Sequence, residues 1–197
     1  MTGKKQGDAV SPVVGVMMML VVTIIIAAVV SAFAGGAVSG QKKTPQASIT
    51  GKYSIANGLE ISHAGGDPLA TNDLVFTIRD NSVFGPNLEQ TTAQLLDKKN
   101  ITNGNGKYML YSDGSMDFTS FVSGDTLYVS ADNTSCNVFQ SGISPNSGVS
   151  GATYTGNKPA LWALCIRNPD NVGKTFSLEV SDKQGHMISK SDVTIAA

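Results

Sequence analysis

The chain has 197 residues, with 14 Lys+Arg against 15 Asp+Glu, and only 15% of it is charged. That length holds one domain of ordinary size, or a smaller domain with an appendage. The near-neutral balance, with a pI of about 6.1, excludes the basic face that nucleic-acid binding requires. Two cysteines are too few for a disulfide-stapled miniprotein or a four-thiolate zinc site.

The apolar residues are not spread evenly. After Lys4, Lys5 and Asp8 no formal charge occurs before Lys42, and Val13 to Phe33 is almost wholly Val, Ile, Met, Leu and Ala. Gly15, Thr23 and Ser31 are the interruptions. An apolar run of about 20 residues is long enough to cross a bilayer as a helix. A helix that is apolar on every side has no solvated face and belongs in lipid or in a protein core. A lone strand in lipid would leave its backbone groups unpaired. Ser11 is placed to act as N-cap, with Pro12 in the first helical position, where its missing N–H costs nothing. Gly35-Gly36 and then Gly40 loosen or stop the helix. Lys4 and Lys5 favour a cytoplasmic N-terminal end, which puts everything after Gln41 outside the cell. Ser31-Ala-Phe-Ala34 mimics a signal-peptide cleavage site, but the run is longer than the apolar region of such a peptide. Periodicity alone leaves an ordinary single-span anchor open.

From Ser48 onward the pattern alternates. Val38–Ala47, with Gly40, Lys42, Lys43 and Pro45, reads as a linker. Leu59, Ile61 and His63 alternate before a Gly65-Gly66-Asp67-Pro68 turn, and Leu74, Phe76 and Ile78 alternate with Val75, Thr77 and Arg79. Further short strands are expected at Tyr108–Tyr111, Thr126–Ser130, Leu161–Arg167, Thr175–Ser181 and Val193–Ala196, with a short helix open at Thr92–Lys98. Asn103-Gly-Asn-Gly106 has the chemistry of a hairpin tip. Short strands at this spacing predict an immunoglobulin-like β-sandwich. The fold class is therefore α+β, a long hydrophobic N-terminal helix followed by an all-β head.

Cys136 and Cys165 fall on the outer side, where a disulfide is possible, and a buried free thiol at Cys165 is the alternative. Asn100-Ile-Thr102 and Asn133-Thr-Ser135 are N-glycosylation sequons. His63 and His186 have no carboxylate at ligand spacing beside them, so no metal is expected. Asp113, Asp117 and Asp125 sit among Gly and Ser and read as solvated turns rather than an acid pair or a Ca²⁺ site. There is no G-x-S-x-G, no catalytic Cys–His spacing and no phosphate loop. No enzyme and no cofactor is expected.

Lys4-Lys5-Gln6-Gly7-Asp8 followed by AVSPVVGVMMMLVVTIIIAAVVSAFAGG (Ala9–Gly36) closely resembles the archaeal type IV pilins, which carry a short basic leader and then a segment beginning AVSPVIGV or similar. Leu59–Leu69, with its His and Gly-Gly-Asp, and Phe121–Leu127, with its Gly-Asp, resemble later elements of the family. The resemblance implies that a prepilin-peptidase-like protease removes residues 1–8 at Asp8–Ala9, with Gly7–Asp8 a second choice. It implies a filament-core helix over 9–37, with Pro12, Gly15, Val22, Ala27, Ala28 and Phe33 among its packing positions, then a linker over 38–47 and a head over 48–197. It also implies a homopolymeric, helical surface filament built by ATPase-driven assembly machinery from a precursor in the cytoplasmic membrane. Two departures matter: no carboxylate lies between Ala9 and Gln41, so the Glu–amine registration of bacterial pilins has no counterpart. The start also lacks the archaellin pattern, which favours an adhesive filament over a rotating one. The competing expectation is a monomeric single-span surface protein with an extracellular β-rich binding domain.

Overall fold

The computed structural model describes residues 12–38, 44–85, 92–140 and 162–197. It divides into two compact units, Met1–Lys43 and Thr44–Ala197. The first contributes α1, Pro12–Val38. This helix continues through Gly35-Gly36, where the sequence expects it to loosen or stop. Intrahelical hydrogen bonding tolerates an isolated glycine pair at a cost of about 1 kcal/mol per residue. Gly40 lies outside the described residues, as does the proposed Ser11 cap.

The second unit is β-rich, and the α+β expectation holds. Its strands are β1 (Ala47–Ser54), β2 (Gly58–Gly66), β3 (Leu69–Ala70), β4 (Leu74–Asp80), β5 (Gln94–Leu95), β6 (Ile101–Asn103), β7 (Ser120–Phe121), β8 (Thr126–Ser130), β9 (Thr175–Asp182) and β10 (Met187–Ala196). Eight of them hydrogen-bond in the order β5-β4-β9-β10-β1-β2-β8-β6, while β3 and β7 pair separately. All the pairings are antiparallel except β1·β10, a short parallel seam with Tyr53 opposite Ile195 and Ser54 opposite Ala196. The sandwich thus takes the form of one curled sheet, two four-stranded halves joined along that seam.

Alternation decides which face is buried. In β4, Leu74, Phe76, Ile78 and Asp80 point inward while Val75, Thr77 and Arg79 are half-exposed. Ile61, Leu127 and Val129 from one half share a core with Phe76, Phe176, Leu178 and Val193 from the other. Gly51 lets the halves close at the seam. A Cβ there would lie 2.5 Å from Val193 Cγ2 and 3.1 Å from Leu178 Cδ2. On the outer face Glu179 meets Arg79 at 2.7 Å and Lys190 at 3.3 Å, a cross-strand trio.

Three sequence expectations are corrected. Tyr108–Tyr111 is no strand, only an isolated bridge from Tyr108 to Thr102, because the chain turns away after the Asn103–Gly106 tip. Residues 162–167 form the end of a helical turn followed by further turns, not a strand, although Leu164, Cys165 and Ile166 are buried. Side-chain amides replace a ladder there: Gln140 accepts from the Ile166 N–H, and Asn171 Nδ2 donates to the Ala163 and Cys165 carbonyls. Thr92–Lys98 holds the short strand β5 rather than a helix, since Leu96 N–H bonds to the Phe76 carbonyl across the sheet.

Candidate functional site

The surface with the plainest functional content is α1. From Pro12 to Ala34 every side chain is exposed, including Met19 at 73% and Phe33 at 76%. These 23 residues span about 35 Å at 1.5 Å per residue, slightly more than the roughly 30 Å of a bilayer's hydrocarbon. Thr23 and Ser31 are the polar residues in this stretch, and Thr23 Oγ1 is already satisfied by the Leu20 carbonyl at 2.9 Å. Apart from the Ser31 hydroxyl, the rod offers a neighbour only apolar contact area. At about 100° per residue, Gly15, Val22 and Phe33 fall within roughly 20° of one another, whereas Ala27 and Ala28 lie on other faces. The core positions anticipated from sequence do not form one stripe. Thr23, Ala27, Ser31 and Ala34, spaced four, four and three apart, line a separate flank of small side chains that permits close helix approach.

Residues 8–49 match the family model for the archaeal type IV pilin N-terminal region. The likeness to the pilin family rests on this N-terminal segment. The matched stretch takes in α1 and ends inside β1 at Ile49, and the family it denotes is structural. No curated protein matches the chain. The internal resemblances at Leu59–Leu69 and Phe121–Leu127 fall outside the pilin match. The anticipated cut at Asp8–Ala9 lies outside the described residues.

In the head, Cys136 and Cys165 form a disulfide with Cα atoms 5.8 Å apart. Cys136 opens a one-turn helix, Cys136–Phe139, and the bridge ties it to the turns around Cys165. Beside it lies a buried polar cluster that sequence reasoning missed. Gln140 Nε2 donates to Asp80 Oδ1 at 3.2 Å and to the Leu164 carbonyl at 3.3 Å. Asp80 is fully buried, its N–H bonds to Thr92 Oγ1, and its Oδ2 has no partner among the described residues. Burial pushes its carboxyl up to about 7, against the lowering effect of the Gln140 bond and of Lys174. The available signal was parity: Asp80 continues the inward series Leu74, Phe76, Ile78.

The sequon asparagines are half-buried, Asn100 at the end of a 3₁₀ turn and Asn133 within another. Although 33 positions apart in sequence, they line one shallow cleft with Leu96, Val138 and Phe139. His63 is buried, with Nε2 3.1 Å from the Asp67 carbonyl and its ring edge-on to Phe121. The three aspartates stand in separate turns. Asp113 accepts from Ser115, Asp117 from the Tyr111 hydroxyl, and Asp125 from the Val122 N–H.

Proposed function

We propose that the protein is a pilin subunit that polymerises through Ala9–Phe33 into a surface filament used for adhesion. The carrying observation is a charge-free rod, apolar on every face and exposed from Pro12 to Ala34, within a segment that matches the pilin N-terminal model. Such a rod has two stable surroundings, lipid tails and copies of itself. Burying roughly 1,500–2,000 Å² of apolar surface per helix is worth roughly 40 kcal/mol relative to water. Relative to lipid the balance is close to even, because hydrocarbon tails are as apolar as Leu. Extraction from the membrane therefore needs an energy-consuming assembly machine, an ATPase-driven partner in this reading. The precursor sits in the cytoplasmic membrane with its N-terminus on the cytoplasmic side until a prepilin-peptidase-like protease cuts Asp8–Ala9. The cut removes Lys4 and Lys5, the charges that hold that end at the inner surface.

In this reading the head forms the outer sheath and does no catalysis. Asn100 and Asn133 carry glycans in this reading, which their position on one cleft beside the exposed Val138 supports. N-terminal mass spectrometry of the native protein, with electron microscopy of purified surface fibres, tests the proposal. The expected mature terminus is Ala9, in fibres whose major component is this chain. A chain that keeps Met1 or Thr2 and stays solitary in the membrane would be a single-span anchored protein instead.

A further inference from the structure

A second surface on the head has the build of a carbohydrate site. Where β6 and β8 run out, the Asn103–Gly106 tip and the loops around Ser120 and Asp125 enclose an open groove of about 390 Å³. Its lining is polar, with Asn103, Asn105, Ser120, Asp125 and Thr126, and it is flanked by the rings of Phe118 and Tyr128. Several of these groups are not consumed by the fold. Among the described residues, the Tyr128 and Ser120 hydroxyls and the Asn105 carboxamide make no hydrogen bond to protein. Others are fixed in place: Asn103 Oδ1 accepts from the Asn105 and Lys107 N–H groups, and Asp125 Oδ2 from the Val122 N–H.

The sheet adds aromatic surface next to the groove. Thr102 on β6 pairs with Tyr128 on one side and bridges to Tyr108 on the other. Directly opposed residues in an antiparallel ladder project to the same face. Tyr128 and Tyr108 therefore share the outer face, about 10 Å apart at two strand spacings. Both are exposed, and Tyr111 packs against Tyr108 with ring centroids 5.5 Å apart. Tyr111 is itself held by its hydroxyl bond to Asp117 at 2.6 Å. A tyrosine presents an apolar ring face and a polar tip at small entropic cost, which matches the alternating C–H faces and hydroxyls of a sugar. The lining contains no Lys or Arg, and its one ionisable carboxylate is Asp125. That charge distribution turns away uronates and other anionic polymers and accepts uncharged ones.

We propose that this groove and the adjoining tyrosines bind a neutral oligosaccharide, with Tyr128 as the stacking platform and Asn105 and Ser120 bonding its hydroxyls. The inference deepens the adhesive reading of the head, and it is testable on the unpolymerised chain. Its failure and that of the filament reading are thus separable.

The test is calorimetric titration of the full chain, solubilised in a detergent without a sugar headgroup. The probes are cellohexaose and mannohexaose, with hexagalacturonate as the anionic comparison. At least one neutral hexasaccharide is expected to bind with Kd about 1 mM or tighter. Tyr128→Ala should weaken it about tenfold and Tyr128→Phe only slightly, since the ring face carries the contact. Asn105→Ala, at an exposed turn tip with no structural side-chain bond, supplies a second variant and should weaken binding about threefold. Neither neutral sugar binding at about 10 mM would overturn the proposal. So would equal binding of hexagalacturonate, or unchanged affinity in both alanine variants.

Discussion

Val22→Asp is the most informative perturbation of the rod. Val22 lies about 15 Å along the axis from Pro12 and about 18 Å from Ala34, close to the middle of the span. A carboxylate there costs about 2.5–3.5 kcal/mol for membrane insertion. The eleven remaining Val, Leu, Ile and Phe residues between Val13 and Phe33 each return about 0.3–0.6, together roughly 3–7 kcal/mol. Insertion therefore survives. Packing against identical helices is different, because no Lys, Arg or His occurs between Ala9 and Gln41 to pair with the new charge. An unpaired buried charge costs several kcal/mol for every subunit, and about 3 kcal/mol lowers each association step more than a hundredfold. The expected result is a normal amount of chain in the membrane fraction by immunoblot and no fibres by negative-stain electron microscopy, with Val22→Leu as the benign control. Wild-type numbers of fibres from Val22→Asp cells would refute a filament core built from this helix.

Three further outcomes follow from the head. Replacing Cys136 and Cys165 by Ser frees a loop with a sequence separation of 29. The chain-entropy relation then predicts a loss of about 3.5 kcal/mol in denaturant unfolding, matched by adding reductant to the wild type. Asp80 has a carboxyl raised to about 7, so between its ordinary value and 7 the folded state holds a proton that the unfolded state has released. Stability should fall as pH rises through that window, by up to about 4 kcal/mol. Asp80→Asn should flatten the profile and be the more stable protein at pH 8 by thermal melting. Asn100→Gln and Asn133→Gln should each remove one glycan's mass from the native protein, and an unchanged mass in both would remove glycosylation from the proposal.

The helix was legible because its signal is cumulative: a long charge-free run admits one backbone solution in lipid. β4, β8 and β9 were legible because strict alternation over five or more residues carries its own register. β10 was seen only in part. In its first half Ser189 and Ser191 take the inward parity of Val193 and Ile195, and Ile188 falls out of step at an irregularity in the pairing, so the apolar alternation is broken there. β1 resisted because Gly51 occupies a core-facing position where the pattern expects a large apolar residue. The run Leu161–Arg167 misled for the opposite reason: it is apolar enough for a strand, but among its described residues, 162–167, side-chain amides take the backbone bonds, Asn168 and Asn171 from close by and Gln140 from far along the chain. The groove was invisible for the same cause, since Asn105, Ser120 and Tyr128 become neighbours only when β6 and β8 pair.

The clasp at the entrance to the head has a mechanical corollary. Gln46 and Asp67 hold each other twice, through Gln46 N–H to Asp67 Oδ2 at 3.0 Å and Asp67 N–H to the Gln46 carbonyl at 2.8 Å. The strand that follows pairs with β2 along its whole length and with β10 at its far end, Tyr53 and Ser54. Tension delivered along the tether at Gln46 thus meets a doubled knot before it reaches the ladder that β1 forms with β2 along its whole length.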